Sequence, residues 1–457
     1  MTTEVSSLDA DFGIMVYASR SLGIGGKIRV VPEDFVVEEV LIDGSKASVV
    51  VANINRPTSN PERYVICVLV KKGWDTFSAL RTIARQLDID EERISISGIK
   101  DARALTAQHI SIGGVPLEKI SEINLENAAI IPTRFSPEKI SSKVLFGNQF
   151  DIKVRAIECS IEEAKQRIEE TKHQIDVFWG VPNFFGHQRF GTIRPFTHKV
   201  GRHIVRGEYE KAALIFLSEP SVYEHRRASR ARERLRETGD YKSCLRFFPR
   251  RLFYERLMLL HLSRYPNDFL GAFRKIPRTI RVLFVQAYQS YLFNRFLSER
   301  IKHGLSLNEA YPGDFVVSLD KNGLPTNNFR NAKPDESFEI REAIRRKELA
   351  IALPLVGYNQ GVSKGIQGQI ERQVLKEENI SPKDFYLMDM PEASAAGGLR
   401  SVLIPLMNFD VTFEEDKHNI DRGNFAVRFR FMLHKGSYAT VVLREFMKPI
   451  DLVDAGF

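Results

Sequence analysis

Alternating apolar and polar residues predict strands near both ends of this chain. The runs Arg93 to Ile96 and His109 to Ile112 alternate in the way typical of half-buried strands. A nearly continuous apolar run from Tyr64 to Lys71 predicts a buried strand, and the run from Lys27 to Val31 predicts another. A longer alternating run extends from Phe425 to Leu433, so we expect the last part of the chain to complete the sheet that the first part begins.

Apolar residues at helical spacing predict helices between these strands. Residues 75–87 carry an apolar face that includes Phe77. Another helix begins at Ser160, where Glu163 completes a capping box, and long helical patterns occupy residues 198–394. Because strands and helices interleave without a strict βαβ repeat, the chain is predicted to have an α+β fold.

Length and charge narrow the class of protein. The chain has 457 residues, enough for two domains. Lysine and arginine total 66 against 58 acidic residues, and the net charge of +8 fits a polyanionic partner. The three cysteines form no Cys-x-x-Cys pair, and His198 and His203 have no third ligand at a metal spacing, so we expect no disulfide framework and no metal. Without a basic and apolar leader or an apolar run of roughly 20 residues, we expect a soluble, cytoplasmic protein with no membrane span.

A polar loop that opens with a glycine, residues 97–108, separates two of the alternating runs and has Asp101 at its centre. Lys100 and Arg103 flank this residue, and nearby cations favour the ionised form of a carboxylate. An ionised carboxylate in a cleft can act as a nucleophile or as a base. The alternative is an aspartate that only caps the turn.

The loop reads Gly98-x-Lys100-Asp101-x-x-Ala104-x-Thr106-x-Gln108, and residues 183–191 read Asn-Phe-Phe-Gly-His-Gln-Arg-Phe-Gly. The first pattern resembles the signature of the TruD family of pseudouridine synthases, which isomerise a uridine in transfer RNA. The second is similar to another motif of that family, with Phe184 in place of a tyrosine. The resemblance covers nearly the whole chain, through Pro32-Glu33-Asp34-Phe35-x-Val37-x-Glu39, Arg194-Pro195-x-Thr197-His198-x-Val200-Gly201, Ser290-x-Leu292-Phe293-Asn294 and Gly436-Ser437-Tyr438-Ala439-Thr440.

The resemblance implies an architecture and an activity. Residues 1–197 and 395–457 would form a catalytic pseudouridine-synthase core with a mixed, largely antiparallel sheet. Residues 198–394 would form a mostly helical α+β insertion domain. The expected reaction is isomerisation of a uridine, by the family's pattern at position 13 of transfer RNA, with no cofactor and no obligatory protein partner.

The resemblance also assigns roles around Asp101, which would be the catalytic group. In the family a basic side chain just before the Pro-Glu-Asp-Phe motif pairs with this aspartate, and Arg29 fills that place here. Its guanidinium could hold the carboxylate with two parallel hydrogen bonds while remaining charged at any working pH. The alternative for Arg29 is a strand residue that faces solvent. Lys100 would support the same carboxylate.

Three further residues are candidates for binding the uridine. Phe35 falls where the family places an apolar wall of the uridine pocket. Phe185 would stack on a uracil flipped out of the RNA. Asn183 would read the edge of the base or hold its own loop, since an amide offers both a donor and an acceptor.

A second candidate contact with RNA is a segment rich in arginine. Residues 226–251 contain nine arginines and Lys242 against three acidic residues. We expect Arg226, Arg227, Arg230, Arg232, Arg234 and Arg236 to lie along a helix and those on one face of it to bind phosphates, with Arg226, Arg227, Arg230 and Arg234 as the candidates. The alternative is a solvated helical face whose arginines pair with glutamates.

Two rival functions and one mechanistic choice stay open at this point. The chain could be a catalytically inactive RNA-binding protein or RNA chaperone of the same fold. It could also be a glycosidase or nuclease that uses Asp101 with Glu39 as a carboxylate pair. For the isomerase, the sequence does not decide whether Asp101 attacks the sugar C1′ or removes its 2′ proton.

Overall fold

The computed structural model describes residues 4–50, 63–191, 193–416 and 425–457. Its strands are β1 Phe35–Leu41, β2 Tyr64–Lys72, β3 Ile94–Ile96, β4 Leu105–Gly113, β5 Ala128–Ser136, β6 Leu145–Val154, β7 Val181–Pro182, β8 Phe315–Leu319, β9 Pro325–Asn331, β10 Leu349–Leu355, β11 Gly398–Ser401, β12 Leu403–Ile404, β13 Met407–Glu415 and β14 Phe425–His434. Its α-helices are α1 Ser7–Asp11, α2 Thr76–Leu87, α3 Leu117–Ser121, α4 Ile161–Phe178, α5 Thr197–Val205, α6 Tyr209–Ser218, α7 Arg226–Thr238, α8 Tyr241–Cys244, α9 Phe253–Leu262, α10 Phe269–Arg274, α11 Arg278–Lys302, α12 Ser337–Arg345, α13 Gly365–Glu377 and α14 Ala439–Met447. None of the helices in these ranges is both long enough and apolar enough to span a membrane.

The chain divides into two compact units. We call one the sheet unit, which comprises the described residues within 21–180 and 404–456, and the other the helical unit, which comprises those within 1–20, 181–403 and 457. These units follow from packing, whereas the sequence-based boundaries after residues 197 and 394 divide the chain by presumed role. Those boundaries stay a prediction.

The sheet unit is built on an eight-stranded sheet with the order β13-β14-β6-β1-β4-β2-β5, and β3 pairs with β4. The neighbours β1 and β4 are parallel, and the other pairs are antiparallel. Strand β14 pairs with β6, with Phe429 opposite Ile152. The predictions of an α+β fold, of a mixed, largely antiparallel sheet, and of its completion by the end of the chain are therefore confirmed.

Helix α2 covers one face of this sheet. Asp75 caps its first turn by accepting a hydrogen bond from Ser78 N at 3.0 Å. Its buried side chains, which include Ile83, pack with Leu69 of β2 and Ile110 of β4. Burying an aliphatic side chain of this kind contributes about 1.5–3 kcal/mol to stability. Helical spacing predicts that Phe77 faces inward, and this prediction is wrong because half of the surface of Phe77 is exposed.

The helical unit is organised around α11, the longest helix of the described chain. Its buried side chains include Phe284, Tyr288, Leu292 and Phe296, which recur at the spacing of one helix face. Helices α5 and α13 and strand β10 pack against it. A four-stranded antiparallel sheet with the order β11-β10-β8-β9 completes the unit, which is mostly helical with some strand, as predicted.

Candidate active site

The loop that carries Asp101 leaves β3 and returns along β4, as the alternating runs predict. Two side chains hold it in place. Thr76, the first residue of α2, accepts a hydrogen bond on its hydroxyl from Lys100 N at 3.0 Å. Gln108 of β4 donates from Nε2 to the carbonyl oxygen of Gly98 at 3.1 Å. The loop is therefore fixed to a helix and a strand that both belong to the core.

Each oxygen of the Asp101 carboxylate receives one donor. Arg29 Nη2 lies 2.7 Å from Oδ2, and the backbone N of Arg103 donates to Oδ1 at 3.0 Å. The Asp101 side chain is 29% exposed, while that of Arg29 is only 5% exposed. The two donors hold the carboxylate in place, and its partial exposure leaves it accessible from solvent.

Arg29 reaches Asp101 because its backbone is not that of a strand. Its φ angle is +57°, in the left-handed region, so the strand predicted for residues 27–31 is wrong. The guanidinium does not hold the carboxylate with two parallel bonds either. Nη1 instead donates to the carbonyl oxygen of Gly456 at 2.7 Å, which ties the residue to the end of the chain. Burial lowers the pKa of Arg29, and the Asp101 charge opposes that effect.

Phe35 lies beneath the Arg29 guanidinium, whose central carbon is 3.9 Å from the ring centroid. Its ring also meets the edge of Phe150, and almost none of its surface is exposed. The contact with Arg29 is a cation–π interaction, which stabilises the guanidinium in its buried position over the ring. Phe35 therefore positions Arg29, and its proposed role as a wall of the uridine pocket stays a prediction.

Lys100 does not contact the Asp101 carboxylate. Its Nζ lies 2.6 Å from Oε1 of Glu39, which also accepts a hydrogen bond from Ser97 Oγ at 2.5 Å, while Oε2 accepts one from His109 N at 2.8 Å. Burial raises the pKa of Glu39, but its contacts with His109, Lys100 and Ser97 outweigh this and hold that pKa below its ordinary value. Glu39 is fully buried and neutralised by Lys100, which disfavours a pair of catalytic carboxylates made of Glu39 and Asp101.

Lys71, at the end of β2, is a neighbour of Asp101 that the sequence analysis missed. Its Nζ donates to the carbonyl oxygens of Asp101 at 3.1 Å and Trp74 at 2.7 Å, and its side chain is fully buried. Burial lowers the pKa of Lys71 to about 8, and the Asp101 charge opposes that shift. The sequence does carry a signal for this residue, since Lys71 lies at the end of an apolar strand. A lysine buried with such a strand requires polar partners for its charge.

The lowered pKa of Lys71 predicts that the stability of the folded protein depends on pH. Because burial depresses its pKa in the folded state, the folded protein releases this proton at a lower pH than the unfolded chain does. Compared with the Lys71→Met variant, the native protein should therefore gain free energy of unfolding as pH rises from about 8 to 10.5. Urea unfolding of both proteins across this range measures the difference.

Lys72→Met is the matched control, because Lys72 is half exposed and pairs with Glu33 on the surface. Parallel pH profiles for native protein and Lys71→Met would contradict the assignment.

Asn183 and Phe185 lie in the helical unit, directly after β7. Asn183 donates from Nδ2 to the carbonyl oxygen of Ser401 at 2.9 Å, and Arg400 donates to Asn183 Oδ1 at 2.5 Å. Its amide is thus used to hold two segments of this unit together, which supports the second of its two predicted roles. The sequence analysis did not identify Arg400 as a site residue. Its only signal there was its position shortly after Gly397 and Gly398, where the strand pattern begins again.

Phe185 has one face of its ring under the Arg400 guanidinium, 4.0 Å from the centroid, and Phe293 meets it edge-on. Its backbone is clamped by Asn294, which accepts from Phe185 N at 2.8 Å and donates to Phe185 O at 3.1 Å. Phe184, which replaces the tyrosine of the family motif, is fully buried. The expectation that Asn183 and Phe185 share one uridine pocket with Asp101 stays a prediction.

The arginine-rich segment forms α7, as predicted, but its arginines are not equivalent. Arg226, Arg227, Arg230 and Arg234 are exposed, and within the described chain none of them has a carboxylate within 4.0 Å. Arg232 is fully buried instead. It pairs with Glu224 at 3.1 Å and Glu255 at 2.7 Å and donates to the carbonyl oxygens of Phe216 and Leu217. Arg232 therefore lies on the buried side of α7 and not on the face expected to bind phosphates.

In the ranges that the structure describes, no three or more histidine, cysteine, aspartate or glutamate side chains are grouped so that they could hold a metal ion. His198 packs between aromatic rings, stacked on Tyr291, and burial lowers its pKa to about 3. The expectation of a reaction without metal or cofactor stays a prediction.

Comparison with known proteins places this geometry in a family. The model of the family described as tRNA pseudouridine synthase D (TruD) matches residues 11–446. A protein of Methanosarcina barkeri named probable tRNA pseudouridine synthase D is 38% identical over 446 residues, which cover 97% of this chain and 98% of that protein. One of Thermococcus sibiricus with the same name is 37% identical and covers 94% of this chain and 97% of its own length. The crystal structure of the putative tRNA pseudouridine synthase D of Methanosarcina mazei matches with a TM-score of 0.81 at 38% identity, covering 97% of this chain and 98% of that one.

Proposed function

Because this chain belongs to the TruD family of tRNA pseudouridine synthases, we propose that it isomerises the uridine at position 13 of transfer RNA with Asp101 as its catalytic group and with no cofactor. The observation that carries this proposal is the pair formed by Asp101 and Arg29, which are 72 positions apart in sequence and whose side chains meet at 2.7 Å. Their burial differs in the way that catalysis requires, since the cation is enclosed and the carboxylate is reachable.

The reaction needs one carboxylate and no redox partner. In one route, an Asp101 oxygen bonds to the sugar C1′ while the bond from C1′ to N1 breaks and uracil leaves as an anion. The base then turns, its C5 bonds to C1′ as the carboxylate leaves, the proton on C5 is lost and N1 gains one. In the other route, Asp101 removes the 2′ proton as the base leaves, so that a C1′=C2′ double bond forms, and returns it to C2′ as C5 bonds to C1′; the proton on C5 is then lost and N1 gains one. In both routes, Arg29 balances the charge of Asp101 when it is not bonded to substrate.

Substrate binding requires the uridine to leave its stack in the RNA, which costs a few kcal/mol. Phe185 is proposed to recover part of that cost by stacking, with the Arg400 guanidinium leaving the ring face as the base arrives. Arg226, Arg227, Arg230 and Arg234 are proposed to bind phosphates of the same RNA. The enzyme would act on transfer RNA in the cytoplasm without an obligatory protein partner.

The deciding experiment maps pseudouridine in transfer RNA incubated with the purified protein. Pseudouridine at position 13 with unchanged RNA mass is the expected result, and RNA with cytidine at that position is the matched control. Loss of mass would indicate strand cleavage or base removal and so a nuclease or glycosidase. Binding of transfer RNA without isomerisation would indicate an inactive RNA-binding protein.

Removing metal ions should leave the rate unchanged. We expect protein dialysed against EDTA to form pseudouridine at the rate of untreated protein, because the proposed steps use only side chains. The transfer RNA should be folded beforehand in monovalent salt and spermidine, since chelation otherwise unfolds the substrate rather than testing the enzyme. A loss of rate that zinc or magnesium restores, with the RNA fold intact by melting, would contradict the proposal.

A further inference from the structure

A cleft of about 690 Å³ lies along α7 in the helical unit, a volume typical of sites that enclose a small ligand. We call it the arginine cleft, and it is lined by Arg226, Arg227, Arg230, Arg234, Arg246 and Phe247. The two glutamates that also line it, Glu233 and Glu237, leave a net charge of +3 from five arginines. In the part of the chain that the structure describes, none of these arginines pairs with either glutamate within 4.0 Å.

The arginines at the beginning of α7 reduce the stability of the helix when no anion is bound. Arg226 and Arg227 open α7, and its first turn contains no acidic residue. The amino end of a helix carries partial positive charge, so cations placed there reduce stability and anions increase it. An anion bound in the cleft would meet both the guanidinium groups and the positive end of the helix.

The opposite side of α7 is firmly anchored. Arg232 is buried and pairs with Glu255 of α9, while Ala228, Ala231 and Leu235 are also buried. Because these contacts hold the helix, the arginines on its other side project from a fixed support. The segment therefore contains one arginine that is neutralised in the core and exposed arginines that have no carboxylate within 4.0 Å among the described residues.

Phe247 is the feature that a simple patch for phosphates does not explain. Its side chain is 38% exposed, whereas the next residue, Phe248, is buried and holds the segment to the unit. The Arg234 guanidinium lies 4.2 Å from the centroid of the Phe247 ring and that of Arg246 lies 5.7 Å away. Arg234 thus lies over the ring, which stays partly exposed, and an exposed aromatic ring packed with arginines is the arrangement with which proteins bind single-stranded RNA, with a base on the ring and phosphates on the cations.

We infer that the arginine cleft binds an unpaired nucleotide of the RNA substrate, with its base stacked on Phe247 and its flanking phosphates on Arg230 and Arg234. Bases inside a duplex are already stacked on each other and cannot place a face on a protein ring, so the occupant is single-stranded. The inference rests on the proposed function for the identity of the substrate. It adds a contact on RNA that takes no part in the chemistry.

The test measures the dissociation constant of the full chain for transfer RNA at several salt concentrations. Phe247→Leu should weaken binding about tenfold with an unchanged slope of log affinity against log salt, because it removes a stacking face and no charge. Arg230→Gln with Arg234→Gln should weaken binding and reduce the magnitude of that slope by about two units, roughly one for each phosphate contact. Arg236→Gln is the matched control, since Arg236 is exposed on the same helix but lies outside the cleft, and it should match the native protein in both quantities.

A blunt RNA duplex of the same length separates stacking from charge. Phe247→Leu should bind this duplex like the native protein, while the double arginine variant should bind it more weakly. All variants change exposed side chains, and thermal melting checks that they fold. Native affinity of Phe247→Leu for transfer RNA, or an unchanged salt slope in the double variant, would overturn the inference. These outcomes do not depend on isomerisation, so pseudouridine mapping with the native protein tests the proposed function separately.

Discussion

Asp101→Asn is expected to abolish pseudouridine formation while leaving the affinity for transfer RNA within a few-fold of the native value. The amide keeps the shape of the side chain but removes its charge, so it can neither attack C1′ nor accept the 2′ proton. It also places an NH₂ group where Arg29 Nη2 or Arg103 N now donates, so at least one donor would face another donor. We expect the rate to fall by a factor on the order of 10⁴ or more.

The measurement is single-turnover isomerisation with enzyme in excess, so that weakened binding cannot imitate a loss of chemistry. Asp90→Asn is the matched control, because it makes the same change at an exposed site that precedes β3 and should leave the rate unchanged. A folded Asp101→Asn protein with turnover near that of Asp90→Asn would show that Asp101 is only a turn-capping residue.

Arg29→Ala is expected to reduce the rate by a factor on the order of 10² to 10³ with little change in RNA affinity. The substitution removes the cation 2.7 Å from Asp101 Oδ2 and the donor to Gly456 O, and it opens space above the Phe35 ring. The effect belongs to the chemical step because Arg29 is enclosed, with a side chain only 5% exposed, and therefore offers RNA little contact surface. Arg29→Lys should retain part of the rate, since an ammonium keeps the charge but cannot donate to Asp101 Oδ2 and to the carbonyl oxygen of Gly456 with the geometry of a guanidinium.

Comparing the single-turnover rate with the dissociation constant separates the two effects. Lys27→Ala is the control for loss of a nearby cation, since Lys27 forms an exposed ion pair with Asp454 and should be near native in rate. If Arg29→Ala weakens RNA binding in proportion to its loss of rate, Arg29 contacts the substrate and does not position Asp101.

Local patterns in the sequence were sufficient for the elements that carry the site. The alternation on either side of residues 97–108 placed Asp101 on a loop between two paired strands, and the apolar period of residues 75–87 placed α2 beside it. The run from Phe425 to Leu433 became β14 in the same sheet. Such patterns succeed because alternation and helical period record which face of a segment is buried, and burial is the largest local constraint on a side chain.

The partners of charged side chains were decided only by the tertiary structure. Lys100 is adjacent to Asp101 in sequence, but its ammonium pairs with Glu39, while the cation on Asp101 comes from Arg29. Lys71 reaches the Asp101 carbonyl from another strand. A charge selects its partner by distance and burial in space, and a sequence shows neither for residues separated by many positions.

The same limit applied to α7 and to the conformation of Arg29. Spacing showed that α7 is rich in arginine, but only its packing on Glu224 and Glu255 separated the buried Arg232 from the exposed arginines beside Phe247. The pattern of residues 27–31 favours a strand, whereas Arg29 has a φ angle of +57° that its contacts with Asp101, Gly456 and the Phe35 ring stabilise. Local preferences of this size amount to about 1–2 kcal/mol, so a few tertiary contacts are enough to override them.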